Sequence, residues 1–252
     1  MSTAVATLDI GRLRASCSAC GLSQLCLPAG IDGDDLLRLD AAVQQRRPLQ
    51  RGQKLFEDGS TFHALFVVRS GTFKTYSTSA DGEVQILGFH LPGEIIGFDA
   101  LADDHHRCTA EALELASVCD VPFDGLQDVA HQVPGLHRQL LRIASREVVK
   151  DHEHLVMMGR KQAQERLAIF LRSLSDRQRR LRLVHDDFLL SMSRQDLANY
   201  LGLAIETVSR IFTRFEEMGV LSVERKRIRI LDFARLDEIA GEASPLLVQQ
   251  AI

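Results

Sequence analysis

From Leu136 to Leu174 the chain reads LHRQLLRIASREVVKDHEHLVMMGRKQAQERLAIFLRSL, with no proline and Gly159 as its one glycine. A run this long predicts a helix several times the ~11–12 residue average. Such a helix outgrows a small core and must either span domains or find another helix. Leu141, Ala144, Val148, Asp151, Leu155 and Met158 advance by alternating steps of three and four, the seam of a two-stranded coiled coil. This predicts a homodimer with those six residues at its interface, against the alternative that the helix packs on its own domain. Asp151 is the odd member: in a parallel two-fold pair it faces its own copy, so two carboxylates repel and the pairing is weak. If the helix is rotated, Asp151 is simply solvated.

What precedes the helix has a different period. Between about residues 48 and 125, ALFVVRSG, TFKTYSTS, EVQILGFHL and ALELASVCDVPF read as short strands separated by turn signals at Gly52, Gly59, Gly71, Asp81-Gly82 and Pro92-Gly93. Strands of that length and spacing predict an antiparallel roll or jelly roll. The class is therefore α+β. Its expected parts are a cysteine-rich segment (1–30), a β-roll (31–133), a dimerisation helix (134–174) and a C-terminal domain (175–252).

The net charge of −4 hides an asymmetry. Residues 159–231 hold 15 Lys/Arg against 9 Asp/Glu, a local +6, which leaves −10 for the rest. A basic module on an acidic protein is the electrostatic footprint of phosphate binding. No apolar run approaches the ~20 residues of a membrane span, and Arg12 and Arg14 precede no apolar stretch of a signal peptide. We therefore expect no membrane partner and a cytoplasmic location. There is no glycine-rich phosphate loop, nucleophile elbow or convergent acid–base set, so an enzyme is not expected.

Within the basic part, RQDLANYLGLAIETVSRIF (194–212) has helix-turn-helix spacing. Ala198 is small where the helices cross, Gly202 permits a left-handed turn, and Leu197, Leu201, Leu203, Val208 and Ile211 supply a shared core. GVLSVERKRIRIL then reads as two strands round a charged turn, a wing whose Lys226, Arg227 and Arg229 suit backbone phosphates. Glu206, Ser209 and Arg210 project from one helical face. Arg210 suits guanine, Glu206 a cytosine or adenine amino group, and Ser209 a thymine methyl. The competing structural arrangement is an intrahelical Glu206–Arg210 ion pair. Thr207 and Arg194 complete the candidate DNA contacts.

Order and motifs together resemble the CRP/FNR family of bacterial transcription regulators over nearly the whole chain. IETVSR has the E-x-x-S-R pattern of the oxygen-responsive FNR/Anr branch instead of the R-E-x-x-G-R of cyclic-AMP-responsive members. RSGTFKTY, QILGFHLPGEIIGFDAL and SVCDVPF are similar to that branch as well. The resemblance implies an activator bound to inverted repeats of the type TTGAT-N4-ATCAA, recruiting RNA polymerase, with the loop at 79–83 as a candidate contact.

Three of the five cysteines fall in CSACGLSQLC (17–26). In a reducing compartment such clustering favours metal or redox chemistry over disulfides, and C-x2-C-x5-C matches neither common ferredoxin spacing. The segment resembles the FNR sensor loop. This implies a [4Fe-4S] cluster held by Cys17, Cys20, Cys26 and, through the match of SVCDVPF, Cys119. Cys108 is expected to be a small buried residue. Two rival readings are a structural zinc on the same thiolates and a cyclic-nucleotide site using Gly93, Glu94 and Arg107, in which Cys108 stands where a serine is needed. An iron–sulfur electron carrier would leave the winged helix without a purpose.

Overall fold

The computed structural model describes residues 17–31, 33–45 and 47–241; the outer parts of the expected first and last segments lie outside them. In chain order the elements are α1 (Gly33–Ala42), β1 (Gln44–Gln45), β2 (Lys54–Phe56), β3 (Ala64–Ser70), β4 (Phe73–Thr78), β5 (Val84–His90), β6 (Ile95–Ile96), β7 (Thr109–Ala112), β8 (Ser117–Pro122) and α2 (Phe123–Gln132). They continue with α3 (Pro134–Arg160), α4 (Ala163–Arg180), β9 (Asp187–Leu189), α5 (Arg194–Leu201), α6 (Ile205–Glu217), β10 (Leu221–Glu224), β11 (Arg227–Ile230) and α7 (Phe233–Ala240).

The strands before α2 make two antiparallel four-stranded sheets, ordered β1-β8-β3-β6 and β2-β7-β4-β5. Both sheets contribute to one core, in which Phe66 and Val68 of β3 meet Phe73 of β4 and Ala110 and Ala112 of β7. This is the expected roll. The run ALELASVCDVPF is not one strand, however. Ala116 bridges back to Leu49, which separates β7 from β8. The β3–β4 turn is closed by Gly71 (φ 73°), where a Cβ would stand 2.7 Å from the Leu115 carbonyl oxygen, so only glycine fits.

The long helix is also interrupted. α3 starts with Pro134 at its first turn, where a missing N–H costs nothing, but ends at Arg160. Lys161 is extended (φ −95°, ψ 145°), and α4 restarts behind a capping box between Gln162 and Glu165. No glycine or proline marks residues 161–162. The cause is Arg166, which donates to the carbonyls of Met158 (2.8 Å), Lys161 (2.9 Å) and Leu201 (3.0 Å). One guanidinium thus satisfies orphan carbonyls at the ends of both α3 and α5. α4 packs on α6 and α7 and belongs to the C-terminal module, whose three-stranded sheet runs β10-β11-β9. Among the described residues no helix is long and apolar enough to cross a membrane.

Candidate functional site

Cys17, Cys20 and Cys26 sit on a loop that wraps by short turns, with Cys20 N donating to the Cys17 carbonyl and Ala29 N to the Cys26 carbonyl. Leu27 anchors it, 1% exposed, in the core shared with Leu136 and Ile143 of α3. Two polar contacts pin it further. Cys17 N donates to Asp40 Oδ1 of α1 at 2.6 Å, and buried Gln139 of α3 donates to the Cys26 carbonyl at 3.2 Å. Cys119 comes from β8, in register with Val67 and Gln45.

All four thiols line one cavity of about 540 Å³, together with Asp40, Arg69 and apolar side chains such as Leu39 and Val67. Burial pushes the Cys17 thiol up to about 12, reinforced by Asp40, and pushes Cys26 up to about 12. Burial raises Cys119 too, opposed by Arg69. Without a cation these sulfurs are therefore neutral, and a ligand metal must displace their protons. Among the described residues no three Cys, His, Asp or Glu side chains converge tightly enough to chelate one ion. Four cysteines lining one cavity are the donor set that a thiolate-held metal group needs, whether a cluster or a single zinc.

Cys108 is not in this lining. It is buried beside Asp99, Sγ to Oδ2 3.4 Å. The cyclic-nucleotide residues are engaged elsewhere as well. Arg107 is exposed and pairs with Asp103, and Glu94 takes Arg177 Nε at 2.8 Å and Nη2 at 2.6 Å.

The second site is the C-terminal module. Ser193 caps α5 through a reciprocal box with Asp196, Gly202 closes the turn in the left-handed region (φ 61°), and α6 buries Val208, Ile211, Phe212 and Phe215. Its other face leaves Glu206, Ser209 and Arg210 exposed. The Glu206–Arg210 pair does not form; Arg210 Nη2 instead donates to Thr207 Oγ1 at 3.3 Å. Ser209 Oγ donates to the Ile205 carbonyl at 3.0 Å. Arg194 lies 3.3 Å over the Phe212 ring, one Nη buried, and binds the start of α5 to α6. In the wing, Lys226 is exposed, but Arg227 and Arg229 both fork onto Asp187 and hold its carboxyl down at about 2. Their charge is partly spent within the module, a pairing 40 and 42 residues apart that no local motif signals.

Along α3, Leu141 (58%), Val148 (52%) and Leu155 (67%) form an exposed stripe at seven-residue spacing, with Asp151 exposed among them and Ala144 half-buried. Met158 differs. It turns into its own chain, 3.8 Å from Arg166 Nη1 and against Gly202, so its side chain is committed to the α3–α5 joint.

The Crp-like helix-turn-helix domain family matches residues 165–239, and the cyclic nucleotide-binding domain family matches 46–132. The transcriptional activator protein Anr of Pseudomonas protegens is 45% identical over 228 residues, 90% of this chain and 93% of that protein. The anaerobic regulatory protein of Haemophilus influenzae is 42% identical, covering 89% of this chain and 88% of its own. Among solved structures, FixK2 from Bradyrhizobium japonicum superposes with a TM-score of 0.73 at 30% identity, over 80% of this chain and 99% of that one. The chain belongs to the CRP/FNR family of transcription regulators, in its FNR/Anr branch. It is a DNA-binding regulator and not an enzyme.

Proposed function

We propose that this regulator senses oxygen through a [4Fe-4S] cluster held by Cys17, Cys20, Cys26 and Cys119, and acts as a homodimer on TTGAT-N4-ATCAA-type operators, where it engages RNA polymerase. The observation that carries the reading is the convergence of a three-cysteine loop and one strand cysteine on a single cavity. When bound, the cluster supplies an oxygen-labile tether between that loop and the roll. The chain does the rest. Leu27 and Gln139 fasten the loop to α3, so loop order and helix order are linked. The stripe of Leu141, Val148 and Leu155 offers apolar area for a second copy, and Asp151 opposes it, which keeps pairing marginal. A change of a few kcal/mol then alters occupancy by orders of magnitude.

Glu206, Ser209 and Arg210 face the major groove, with Arg194, Thr207 and Lys226 in supporting contacts. Arg210→Ala should cost ~1–3 kcal/mol and relax preference at one base pair, as read from binding to a set of single-substitution operators. Uniform weakening across that set would make Arg210 a phosphate contact.

The direct experiment is purification without oxygen, followed by iron and sulfide analysis, visible spectroscopy and sedimentation before and after air. About four iron and four sulfide per chain, bleaching in air with loss of the dimer, is expected. Zinc alone, with normal operator binding, would overturn the proposal.

A further inference from the structure

The DNA-binding module is docked on the roll of its own chain by directional polar contacts. Among the described residues β5 is the outer strand of its sheet, and one edge of its backbone meets no other strand. Asn199 of α5 covers that edge: Ile86 N donates to Oδ1 at 2.6 Å and Nδ2 donates to the Val84 carbonyl at 2.5 Å. A single side-chain amide thus takes the place of a neighbouring peptide. Beside it Lys74 of β4 reaches Asp196 of α5 at 3.1 Å and Glu111 of β7 at 3.5 Å, with Lys74 and Asp196 each 16% exposed. Farther along, Arg177 of α4 grips Glu94 in the β5–β6 turn. Between these contacts Phe89 packs edge-on to Phe170 and Tyr200, with ring centroids at 5.8 and 5.2 Å. The docked module keeps Glu206, Ser209 and Arg210 exposed.

We infer that this latch sets the half-site spacing the regulator accepts, through residues that do not face DNA. The inference rests on the reading of a dimer on an inverted repeat. In such a dimer the paired α3 helices define the two-fold axis, and the distance between recognition helices follows from how each module is held against its own roll and α3. Across the extended Lys161 and Gln162, Arg166 and Met158 tie α3 to α5, which holds the module at that end; the contacts with the roll hold it at the other. Apolar contact is non-directional and tolerates sliding. The amide on β5 and the carboxylate–guanidinium fork fix an angle.

The test measures affinity of the full chain, prepared without oxygen, for inverted TTGAT half-sites separated by three, four or five base pairs and for one isolated half-site. Asn199→Ala and Lys74→Ala should each lower the preference for the best spacer by about threefold or more while leaving isolated half-site affinity unchanged. Asn199→Asp keeps the contact from Ile86 N but sets a carboxylate oxygen against the Val84 carbonyl, so it should lower the preference at least as far as Asn199→Ala. If Asn199→Ala loses isolated half-site binding through misfolding, Lys74→Ala decides, because that residue lies in the roll. Unchanged spacer preference in Lys74→Ala and in folded Asn199→Ala overturns the latch. A wild-type chain that binds paired half-sites no better than one overturns the dimer reading itself, and the latch with it.

Discussion

Cys119→Ser should yield a folded chain that carries no cluster and, under anoxic conditions, has lost about a hundredfold or more of its operator affinity. The size follows from where the thiol sits. Three of the four proposed ligands share one loop, and Cys119 is the sole one supplied by the roll, so its loss removes the tie between them. Serine is nearly isosteric, and β8 is held by its ladder to β3 and by buried Val118 and Val121, so the roll should remain intact. Cys108→Ser is the matched control, because that thiol faces Asp99 away from the cavity lining and its replacement should leave iron content unchanged. Iron and sulfide per chain, read beside sedimentation, check both. Wild-type iron in the Cys119 variant would remove this cysteine from the ligand set.

Most of the fold could be read locally because its signals are local. The apolar run of β3, the alternation in β4, the Asp81-Gly82 turn and the Gly202 turn between α5 and α6 each depend on a few neighbouring residues. The same holds for three thiols within ten residues. What escaped are contacts between residues far apart in sequence. The break at Lys161–Gln162 depends on Arg166 finding carbonyls on two other helices, and a run with good helix propensity carries no trace of that. Met158 fits the seam by spacing, yet the joint takes it. Arg227 and Arg229 look like free phosphate contacts until the fold brings up Asp187. Asp40 and Gln139, which pin the cysteine loop, belong to helices whose patterns mark them only as polar positions.

Glu94→Gln should destabilise the chain by ~3–5 kcal/mol at neutral pH, the cost of breaking a buried ion pair on one side. The Glu94 side chain is 16% exposed, and its burial alone would raise the carboxyl. Arg177 first, then Lys150, overcome that and hold it at about 2 against an ordinary 4.5. Glutamine keeps the shape but leaves the Arg177 guanidinium facing an amide, with its charge no longer matched. The sign of the pH effect follows from the direction of the shift. A carboxyl whose folded value lies below its unfolded value contributes its full stability above pH 4.5 and loses it as pH falls toward 2. The gap between wild type and Glu94→Gln should therefore persist unchanged from pH 7.5 to 5. His90 acts in a separate window. Burial lowers it to about 4 from 6.5, so wild type and variant alike should lose stability as pH drops through that range, when the unfolded chain takes up a proton the folded one refuses. Urea unfolding at pH 7.5 and pH 5 separates the two. A gap that closes by pH 5 would mean that Glu94 is already protonated there and that Arg177 does not hold the module through a charge.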